Sequence, residues 1–505
     1  MINKKIFNLK NLASKLSSSK KKIGLCHGVF DLLHLGHINH FNEAKKNCDI
    51  LVVSVTEDKY VSKGPSRPVF DQYQRMEALS NLECVDYVIL SNKESAVETI
   101  NKIKPRFYFK GPDYKISSHD VTKKILLERR EVEKNSGKLF ITKSEKYSSS
   151  NLINKQLNIF SKNQEILINK IKKKYNLDKI KKIVNNFKKS VPIIVGETII
   201  DQYFFCEALG KSGKEPMLVL RDSFNETYFG GAGAISKHTA EFCEKQKFLS
   251  IVGEKKDNIA FIKKNIPKNT SYYLLPKENS PTILKKRFLD EVTKSKVLGV
   301  YSLNDELLSK KQEILLKKKF NVLSKNSNLT ILSDYGHGMI SKDFRKDLIK
   351  KSKFIAVNVQ VNAANIGFHT LKDYRSIDFM IINEIELRHE MRTKDKKIEI
   401  LIKELSKNQN IKYLVVTRGL SGAILYEKKT NKFYFTEAFS KNALDKIGAG
   451  DAMLSIMSIC LYNKVDINLS LLISSLAAAQ SVNTIGNKES ISKVKLLKEL
   501  EHILS

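Results

Sequence analysis

The 505-residue sequence predicts an α/β protein of two modules, each built on a parallel sheet, and three observations lead to this prediction. Short apolar segments alternate with helical stretches of roughly 10–15 residues, which is the pattern of βαβ units. The alternation ends near residue 155 and starts again at Val191. The stretch between has helical spacing and contains neither Gly nor Pro. We therefore divide the chain into a first module at 1–155, a helical linker at 156–190 and a second module at 191–505.

In the first module, predicted strands and helices alternate from residue 23 onward. The predicted strands are 23–26, 50–55, 87–90, 107–109 and 138–141. The predicted helices are about 36–46, 72–79, 96–103 and 120–135. This order predicts a parallel sheet with helices on its faces.

The second module begins with the buried strand 191–196. Its further parallel strands are predicted at 329–333, 354–357, 379–382 and 413–417. The segment 202–228 has short alternating runs and turn residues, which indicate a small β excursion from the module. Residues 448–485 are rich in Ala and Ser and are predicted to be helical.

The chain carries 88 basic and 54 acidic residues, a net charge of +34. Most of the basic residues are lysines that spread over the whole chain, as an AT-rich genome would produce. A nucleic-acid binder would concentrate its charge on a patch with arginines and aromatic residues. We therefore expect no nucleic-acid partner, while phosphorylated small molecules would still benefit from the positive field.

Six cysteines lie far apart without a CxxC pair, which argues against a zinc site or a disulfide framework and favours a reducing compartment. The sequence contains no run of 18 apolar residues, so we expect no membrane span. Residues 1–22 are basic but lack a continuous apolar core, so we expect no secretory signal. These observations predict a cytoplasmic protein without a membrane partner. The oligomeric state stays open, with a homodimer as one candidate.

The first group of candidate catalytic residues lies at 28–37, where a predicted strand runs into a helix. His34 and His37 are three residues apart and fall at the N-terminus of that helix, where free N–H groups and the helix dipole attract phosphate. Imidazoles there can donate hydrogen bonds to charge that develops on phosphorus. The spacing alone also fits two ordinary histidines, and a zinc pair is disfavoured because no third ligand follows.

The complete pattern resembles the HxGH signature of the cytidylyltransferase-like nucleotidylyltransferase superfamily, and the match continues at 66–69, 74–76, 110–114 and 148–151. The resemblance implies a Rossmann-like nucleotidylyltransferase domain in which His34 and His37 are catalytic. It implies that Lys63 and Arg75 neutralise nucleotide phosphates, although each could also be a surface charge. The full set of expected nucleotide and phosphate contacts is Gly28, Phe30, Lys63, Arg75, Lys110, Gly111, Asp113, Ser148 and Ser149.

The second group of candidate residues, Asp-Lys-Ile-Gly-Ala-Gly-Asp at 445–451, precedes an apolar helix. Gly-Ala-Gly before a helix leaves several N–H groups free to form an anion hole. The adjacent Asp451 could take a proton from a hydroxyl that attacks a γ-phosphate. An ordinary helix-capping turn would have the same local sequence.

The segment resembles the GAGD signature of ribokinase-type carbohydrate kinases, whose other elements follow in order at 196–201, 230–231, 333–336, 383–386 and 417–422. The resemblance implies a ribokinase-like α/β domain with a small β lid and with Asp451 as general base. Its expected sugar contacts are Asp201, Gly230, Gly231 and Asp334, with a structural role for Asp334 left open. Its expected ATP and anion-hole residues are Asn383, Glu386, Thr417, Gly419, Gly422, Gly448, Ala449 and Gly450, and Glu386 is also the candidate Mg²⁺ ligand.

Together, the two halves resemble the family of bifunctional enzymes of ADP-heptose synthesis, a lipopolysaccharide precursor pathway, which join a heptose 7-phosphate kinase to a heptose 1-phosphate adenylyltransferase. The implied ligands are sugar phosphates, Mg²⁺ and ATP, with ATP or CTP in the nucleotidyl transfer. Three departures concern the order of the two domains and the sugar side of the kinase. The transferase comes first, Ala234 stands where the family has Asn, and Asn-Val-Gln at 358–360 replaces Asp-Pro-Lys.

These departures leave a second interpretation open. In it, a CTP-dependent cytidylyltransferase acts on a polyol or sugar phosphate, and the kinase-like half is a regulatory module or a kinase of different specificity. The intact Gly-Ala-Gly-Asp segment at 448–451 favours an active kinase.

Overall fold

The computed structural model describes residues 4–61, 67–112, 124–143, 160–255, 258–361, 365–366, 368–440 and 444–504. The chain forms two compact units. The first unit is Met1–Lys162 together with Leu497–Ser505, and the second unit is Asn163–Leu496. The domain division at 155 and 191 remains a prediction.

The first unit contains a six-stranded parallel sheet. Its strands are β1 (Ile6–Phe7), β2 (Ile23–Gly28), β3 (Ile50–Thr56), β4 (Tyr87–Ser91), β5 (Phe107–Lys110) and β6 (Lys138–Ile141). Its helices are α1 (Leu9–Leu16), α2 (Leu35–Lys46), α3 (Gln72–Ser80), α4 (Val97–Ile103) and α5 (Lys124–Lys134). The strand order is β1-β4-β3-β2-β5-β6, and every pairing is parallel.

Helices cover both faces of this sheet, which explains the continuous apolar sequence of β3. Leu51 and Val53 belong to one buried cluster, and Ile50 and Val52 belong to another, because successive side chains point to opposite faces. Strand β2 has β3 on one side and β5 on the other, so the order reverses at this strand. The carboxyl ends of β2 and β5 meet at the reversal, where open α/β sheets bind ligands.

The second unit contains two sheets. Its strands are β7 (Pro192–Gly196), β8 (Thr198–Lys211), β9 (Leu218–Gly231), β10 (Gln246–Gly253), β11 (Thr270–Lys277), β12 (Leu284–Asp290), β13 (Lys296–Ser302), β14 (Leu329–Asp334), β15 (Ile355–Val359), β16 (Phe379–Asn383), β17 (Tyr413–Thr417), β18 (Ala423–Glu427) and β19 (Lys432–Thr436). The larger sheet has the order β11-β10-β7-β14-β15-β16-β17-β18-β19. It is parallel from β11 to β17, and β18 and β19 add antiparallel strands.

The smaller sheet has the order β13-β12-β8-β9 and contains the predicted β excursion. We refer to it as the lid sheet. Strands β12 and β13 were not predicted, because β12 reads Leu-Lys-Lys-Arg-Phe-Leu-Asp and every residue of β13 is exposed. A strand with three consecutive basic residues, or with no buried side chain, lacks the apolar alternation from which strands are predicted.

The remaining helices follow in chain order from residue 162. They are α6 (Lys162–Lys172), α7 (Leu177–Asn186), α8 (Ala232–Ala240), α9 (Ile259–Asn265), α10 (Lys310–Ser324), α11 (Lys342–Lys351), α12 (Glu384–Glu390), α13 (Ile398–Gln409), α14 (Ala449–Tyr462), α15 (Ile467–Val482) and α16 (Lys493–Leu504). Across the described ranges, no helix combines the length and the apolar character that crossing a membrane requires.

The predicted linker is helical, as α6 and α7 show, but from Asn163 onward it groups with the second unit. Ile171 and Ile180 are buried, and the Gln164 side chain donates a hydrogen bond of 2.8 Å to the carbonyl of Ala438. These two helices are therefore packed elements of the second unit.

Candidate active sites

The predicted histidine pair is brought together at the start of α2. His34 is the N-cap residue, and its Nδ1 accepts a hydrogen bond of 3.0 Å from the Gly36 N–H. An Nδ1 that accepts carries no proton, so the neutral ring has its N–H at Nε2. The rings of His34 and His37 stack with centroids 4.0 Å apart. The pair therefore offers two imidazoles and a helix N-terminus at one place.

Phe30 and Gly28 support this pair. Phe30 has a φ of 50°, and its ring packs edge-on against His37 with centroids 5.5 Å apart. A Cβ on Gly28 would lie 2.9 Å from the Phe30 ring, so the strand must end in glycine for the ring to lie there. Both residues thus shape the site through packing.

Asp31 fixes the loop that follows the histidine segment, a role that motif reasoning missed. Its buried carboxylate accepts hydrogen bonds from Arg67 Nη1 at 2.9 Å, from the Val69 N–H at 2.7 Å and from the Phe70 N–H at 3.1 Å. The ion pair with Arg67 is also buried. Asp31 therefore ties the start of the site to the chain that enters α3.

Arg75 differs from the expectation that it neutralises nucleotide phosphates. Its side chain has no exposed surface. The guanidinium donates to the carbonyls of Val29, Thr56 and Phe70 and forms an ion pair with Asp58. In this arrangement the Arg75 donors join three segments of the first unit, and a contact between Arg75 and a nucleotide phosphate stays a prediction.

Lys110 lies among buried polar groups of the first unit. It is buried, and its Nζ lies 3.5 Å from Glu128 Oε2 and 3.5 Å from the carbonyl oxygen of His27. Burial alone would raise the pKa of Glu128, but the charges of Lys110 and His27 and two donated hydrogen bonds outweigh it and lower that pKa. Gly111 is different, since a Cβ there would meet no atom of the described residues within 4 Å. Among the described residues at the end of β5, the backbone at Gly111 is thus open to the approach of a nucleotide. Lys63, Asp113, Ser148 and Ser149 lie outside the described residues.

In the second unit, one cavity of about 460 Å³ collects most of the predicted kinase residues, a size within the range of small-molecule sites. The predicted residues that line it are Asp201, Gly231, Asn383, Glu386, Thr417, Gly419, Gly422, Gly448, Ala449, Gly450 and Asp451. Gly230 and Asp334 are not among the lining residues. Lys285, Arg287 and Tyr335 also line the cavity and were not predicted.

The start of α14 lines this cavity with N–H groups that have no acceptor among the described residues. Gly448 is the N-cap residue without a side-chain cap, and the first intrahelical bond runs from the Ala452 N–H to the Gly448 carbonyl at 2.9 Å. The N–H groups of Ala449, Gly450 and Asp451 precede that bond. Gly448 has a φ of 90°, and a Cβ there would lie 2.2 Å from Asn487 Oδ1. Glycine is therefore required at this turn, and the predicted anion hole would consist of the N–H groups that follow it.

Asp451 lies in the first turn of α14, where the Tyr335 hydroxyl donates a hydrogen bond of 3.1 Å to its Oδ1. Burial raises the pKa of Asp451 to about 7, and the charge of Asp201 adds to this rise. The hydrogen bond from Tyr335 and the charge of Lys285 act in the opposite direction. A carboxylate with a pKa near neutrality is suited to accept a proton from a hydroxyl.

Glu197, which follows β7, holds the loop that carries Tyr335. Its fully buried carboxylate accepts hydrogen bonds from the N–H groups of Tyr335 at 3.0 Å, His337 at 3.2 Å and Met339 at 3.4 Å. Burial and the neighbouring Asp334 raise the pKa of Glu197. Motif reasoning missed this residue, since its role depends on a contact across about 140 residues.

Asp334 and Gly230 do not line the cavity but contact residues near it. Asp334 is buried and accepts hydrogen bonds from the Gly336 N–H at 2.9 Å and from the Tyr374 hydroxyl, which matches the structural alternative rather than a sugar contact. A Cβ on Gly230 would lie 2.1 Å from Asp201 Oδ2. Gly230 therefore lets the Asp201 carboxylate lie against the backbone.

Asn383 and Glu386 form a reciprocal capping box at the start of α12. Asn383 Oδ1 accepts from the Glu386 N–H at 2.8 Å, and Glu386 Oε2 accepts from the Asn383 N–H at 2.8 Å. Burial raises the pKa of Glu386 to about 7, although the hydrogen bonds oppose the rise. This carboxylate has no ion pair with a described residue, which suits a cation. Within the ranges the structure describes, no cluster of three or more His, Cys, Asp or Glu could hold a metal by itself.

The turn after β17 lines the opposite part of the cavity. Gly422 has a φ of 83°, and a Cβ there would lie 1.9 Å from the Thr436 carbonyl oxygen, so no other residue fits. Thr417 donates a hydrogen bond of 3.4 Å to the Ile382 carbonyl. Among the residues that differ from the family pattern, Asn358 and Gln360 line the cavity, while Ala234 is fully buried in α8.

A nine-stranded, mostly parallel sheet with a lid sheet, and a helix N-terminus beside a buried carboxylate in one cavity, are the features expected of the carbohydrate kinase class. A family model described as pfkB family carbohydrate kinase matches residues 190–494, which is more than half of the chain, and the protein belongs to that family. A second model, cytidylyltransferase-like, matches residues 25–156. These matches confirm the two predicted resemblances and the reversed order of the domains.

Curated relatives match over shorter stretches. Bifunctional protein HldE of Aliarcobacter butzleri is 41% identical over 108 residues, which cover 21% of this chain and 23% of the relative. Bifunctional protein HldE of Helicobacter pylori strain J99 is 33% identical over 153 residues, or 30% and 31% of the two chains. The solved ribokinase of Thermotoga maritima is 17% identical, with a TM-score of 0.48 over 62% of this chain and 99% of its own. The matched part of the chain thus spans 23% to 31% of the length of these curated relatives.

The buried contacts of Arg75 lead to a stability prediction. Arg75→Leu leaves three carbonyls and Asp58 without their donor, so we expect a loss of about 3 kcal/mol or more and a Tm lower by about 5 °C or more. Differential scanning calorimetry measures the change. Arg129→Leu is the control, because Arg129 is 59% exposed and should contribute less than about 0.5 kcal/mol. An unchanged Tm together with a tenfold higher KM for the nucleotide would instead support a phosphate contact by Arg75.

The raised pKa of Glu386 leads to a prediction about pH. The folded state binds this proton more tightly than the unfolded state, so the parent loses stability as pH rises from about 4.5 to about 7. Glu386→Gln keeps the capping box without the charge. Its Tm should equal that of the parent near pH 5 and exceed it by about 2 °C or more at pH 8. Glu386→Ala, which lacks the cap, should be less stable at both pH values. A lower Tm of the Gln variant at pH 8 contradicts the assigned pKa.

Proposed function

We propose that this chain is a bifunctional enzyme of sugar-nucleotide synthesis. The second unit phosphorylates a sugar phosphate, heptose 7-phosphate, at the anomeric oxygen with ATP. The first unit transfers a nucleotidyl group from ATP to a sugar 1-phosphate and releases pyrophosphate, which gives an ADP-heptose product. Both family models and the relatives named bifunctional support this proposal. The observation that carries it is the pairing of free N–H groups with Asp451 in one cavity.

In the kinase step, Asp451 accepts the proton of the anomeric hydroxyl as its oxygen attacks the γ-phosphorus of ATP, and ADP leaves. The N–H groups of Ala449, Gly450 and Asp451 stabilise the negative charge on the transferred group. The Tyr335 hydroxyl holds the Asp451 carboxylate in place at 3.1 Å. The lid-sheet residues Asp201 and Arg287 line the same cavity as the Asp451 carboxylate.

Mg²⁺ is implied by the family, and the buried Glu386 carboxylate fits it. Because no three-carboxylate cluster exists among the described residues, the ion would be held by Glu386 and by the phosphates of ATP, as Mg²⁺ usually is. When bound, Mg²⁺ neutralises charge on the transferred phosphoryl group.

In the nucleotidyl transfer, a phosphate oxygen of the sugar 1-phosphate attacks the α-phosphorus of the nucleotide, and pyrophosphate leaves. His34, through its Nε2–H, and His37 donate hydrogen bonds to the charge that develops on the α-phosphate. The N-terminus of α2 adds its free N–H groups and dipole. The backbone at Gly111 is open to the base at the neighbouring strand end.

A second candidate replaces ATP with CTP in the transfer and a heptose with another polyol or sugar phosphate. This second candidate stays open because Ala234 and Asn358, on the sugar side of the kinase, depart from the family pattern. In either case the ligands are sugar phosphates and nucleotides, and we propose neither a nucleic-acid nor a membrane partner. Six free cysteines agree with a cytoplasmic location.

Separate substitutions should divide the two activities. His34→Ala and His37→Ala should each lower pyrophosphate release by roughly 10²–10³, the loss expected for one preorganised donor, and leave ADP formation unchanged. Asp451→Asn should lower ADP formation by at least about 10² and leave pyrophosphate release unchanged. Each substitution is thus the control for the other activity. If either one reduces both activities equally, the assignment of one site to each unit is wrong.

The pH dependence of the kinase step tests Asp451 as the base. The rate requires the ionised carboxylate, so kcat should rise with pH up to about 7 and then stay level. Tyr335→Phe removes a hydrogen bond that favours the ionised form, so the inflection should move to higher pH. A flat profile between pH 5 and 8 in the parent, measured by coupled ADP release, contradicts the role of Asp451.

A further inference from the structure

Two basic side chains of the lid sheet enter the kinase cavity beside the expected sugar contact. On β12, Lys285 pairs in register with Asp201 of β8, and Arg287 pairs with Tyr203. Residues two apart on a strand point to the same face, and both Lys285 and Arg287 line the cavity. Lys286, between them, does not line it. The lid sheet therefore presents a pair of cations to the site.

Lys285 is the unusual member of this pair. Its side chain is buried, with 7% of the residue exposed. Among the described residues, its ammonium has no hydrogen-bond or ion-pair partner. Its neighbours are the rings of Tyr301 and Tyr335, whose centroids lie 5.6 and 6.0 Å from Nζ. A buried ammonium without an acceptor is costly, and aromatic faces offset only part of that cost.

The carboxylates near Lys285 are already engaged. Asp201 forms an ion pair with Arg287, and Glu197 accepts three backbone N–H groups. Asp305 lies 2.6 Å from His337 Nδ1. Burial lowers the pKa of Lys285, and the attraction of Asp201, Glu197 and Asp305 only partly offsets this. An anion in the cavity would supply the acceptor that the protein does not.

We propose that Lys285 binds an anionic group of the sugar acceptor, a phosphate remote from the reacting hydroxyl, and selects phosphorylated over neutral acceptors. The assignment to the acceptor follows from position, because Lys285 lies opposite Asp201 on the lid sheet. The γ-phosphate instead meets the N–H groups of Ala449 and Gly450. This inference rests on the proposed kinase function and makes Lys285 a specificity-determining residue of it.

The test compares the binding of heptose 7-phosphate and of the unphosphorylated heptose by isothermal titration calorimetry with the full chain. The parent should bind the phosphorylated sugar at least about tenfold more tightly, as a charge-assisted contact would give. Lys285→Gln should lose that preference and keep its affinity for ATP within threefold. Its Tm should not fall, because a buried charge without a partner has been removed.

Lys286→Gln is the matched control, since it removes a neighbouring lysine from outside the cavity, and it should keep the preference of the parent. The proposal is overturned if Lys285→Gln retains the preference for the phosphorylated sugar. It is also overturned if the substitution lowers the affinity for ATP as much as the affinity for the sugar phosphate. A parent that phosphorylates a different sugar and not heptose 7-phosphate refutes the heptose assignment alone. The same comparison, with the phosphorylated and unphosphorylated forms of that sugar, then decides the role of Lys285.

Discussion

The kinase site depends on one constraint, the start of α14 at Gly448. Ten consecutive residues of this helix, from Ala452 to Leu461, are buried, so the helix cannot shift without disturbing the core. Its first N–H groups have no side-chain cap among the described residues, and the residues that carry them line a cavity. Packing therefore fixes the position of these N–H groups, and the same turn holds Asp451 beside them.

The polar groups around this cavity are poorly satisfied by the protein alone. Burial raises the pKa of Asp451 and of Glu386 to about 7, and the Lys285 ammonium has no acceptor among the described residues. Such arrangements lower the stability of the free protein and are typical of sites that a ligand completes. The first unit shows the opposite case in Arg75, whose donors are used inside the fold.

Much of this organisation could be predicted from the sequence, because it depends on local patterns. Strand β17 has the predicted bounds, and the histidine pair and the Gly-Ala-Gly-Asp turn lie where their motifs placed them. The capping box of Asn383 and Glu386 was also readable from its spacing. The roles of Arg75, Glu197 and Lys285 were not, since burial and pairing with residues far along the chain decide them.

The central claim is that one chain carries both phosphoryl and nucleotidyl transfer, and product analysis tests it most directly. The 505-residue protein is incubated with heptose 7-phosphate and isotope-labelled ATP, and separately with heptose 1-phosphate and ATP or CTP. Mass spectrometry then identifies the products of each reaction. We expect a labelled phosphate on the first sugar, and a nucleotide sugar with pyrophosphate from the second. If one of these products is missing while the other forms, the bifunctional account is wrong.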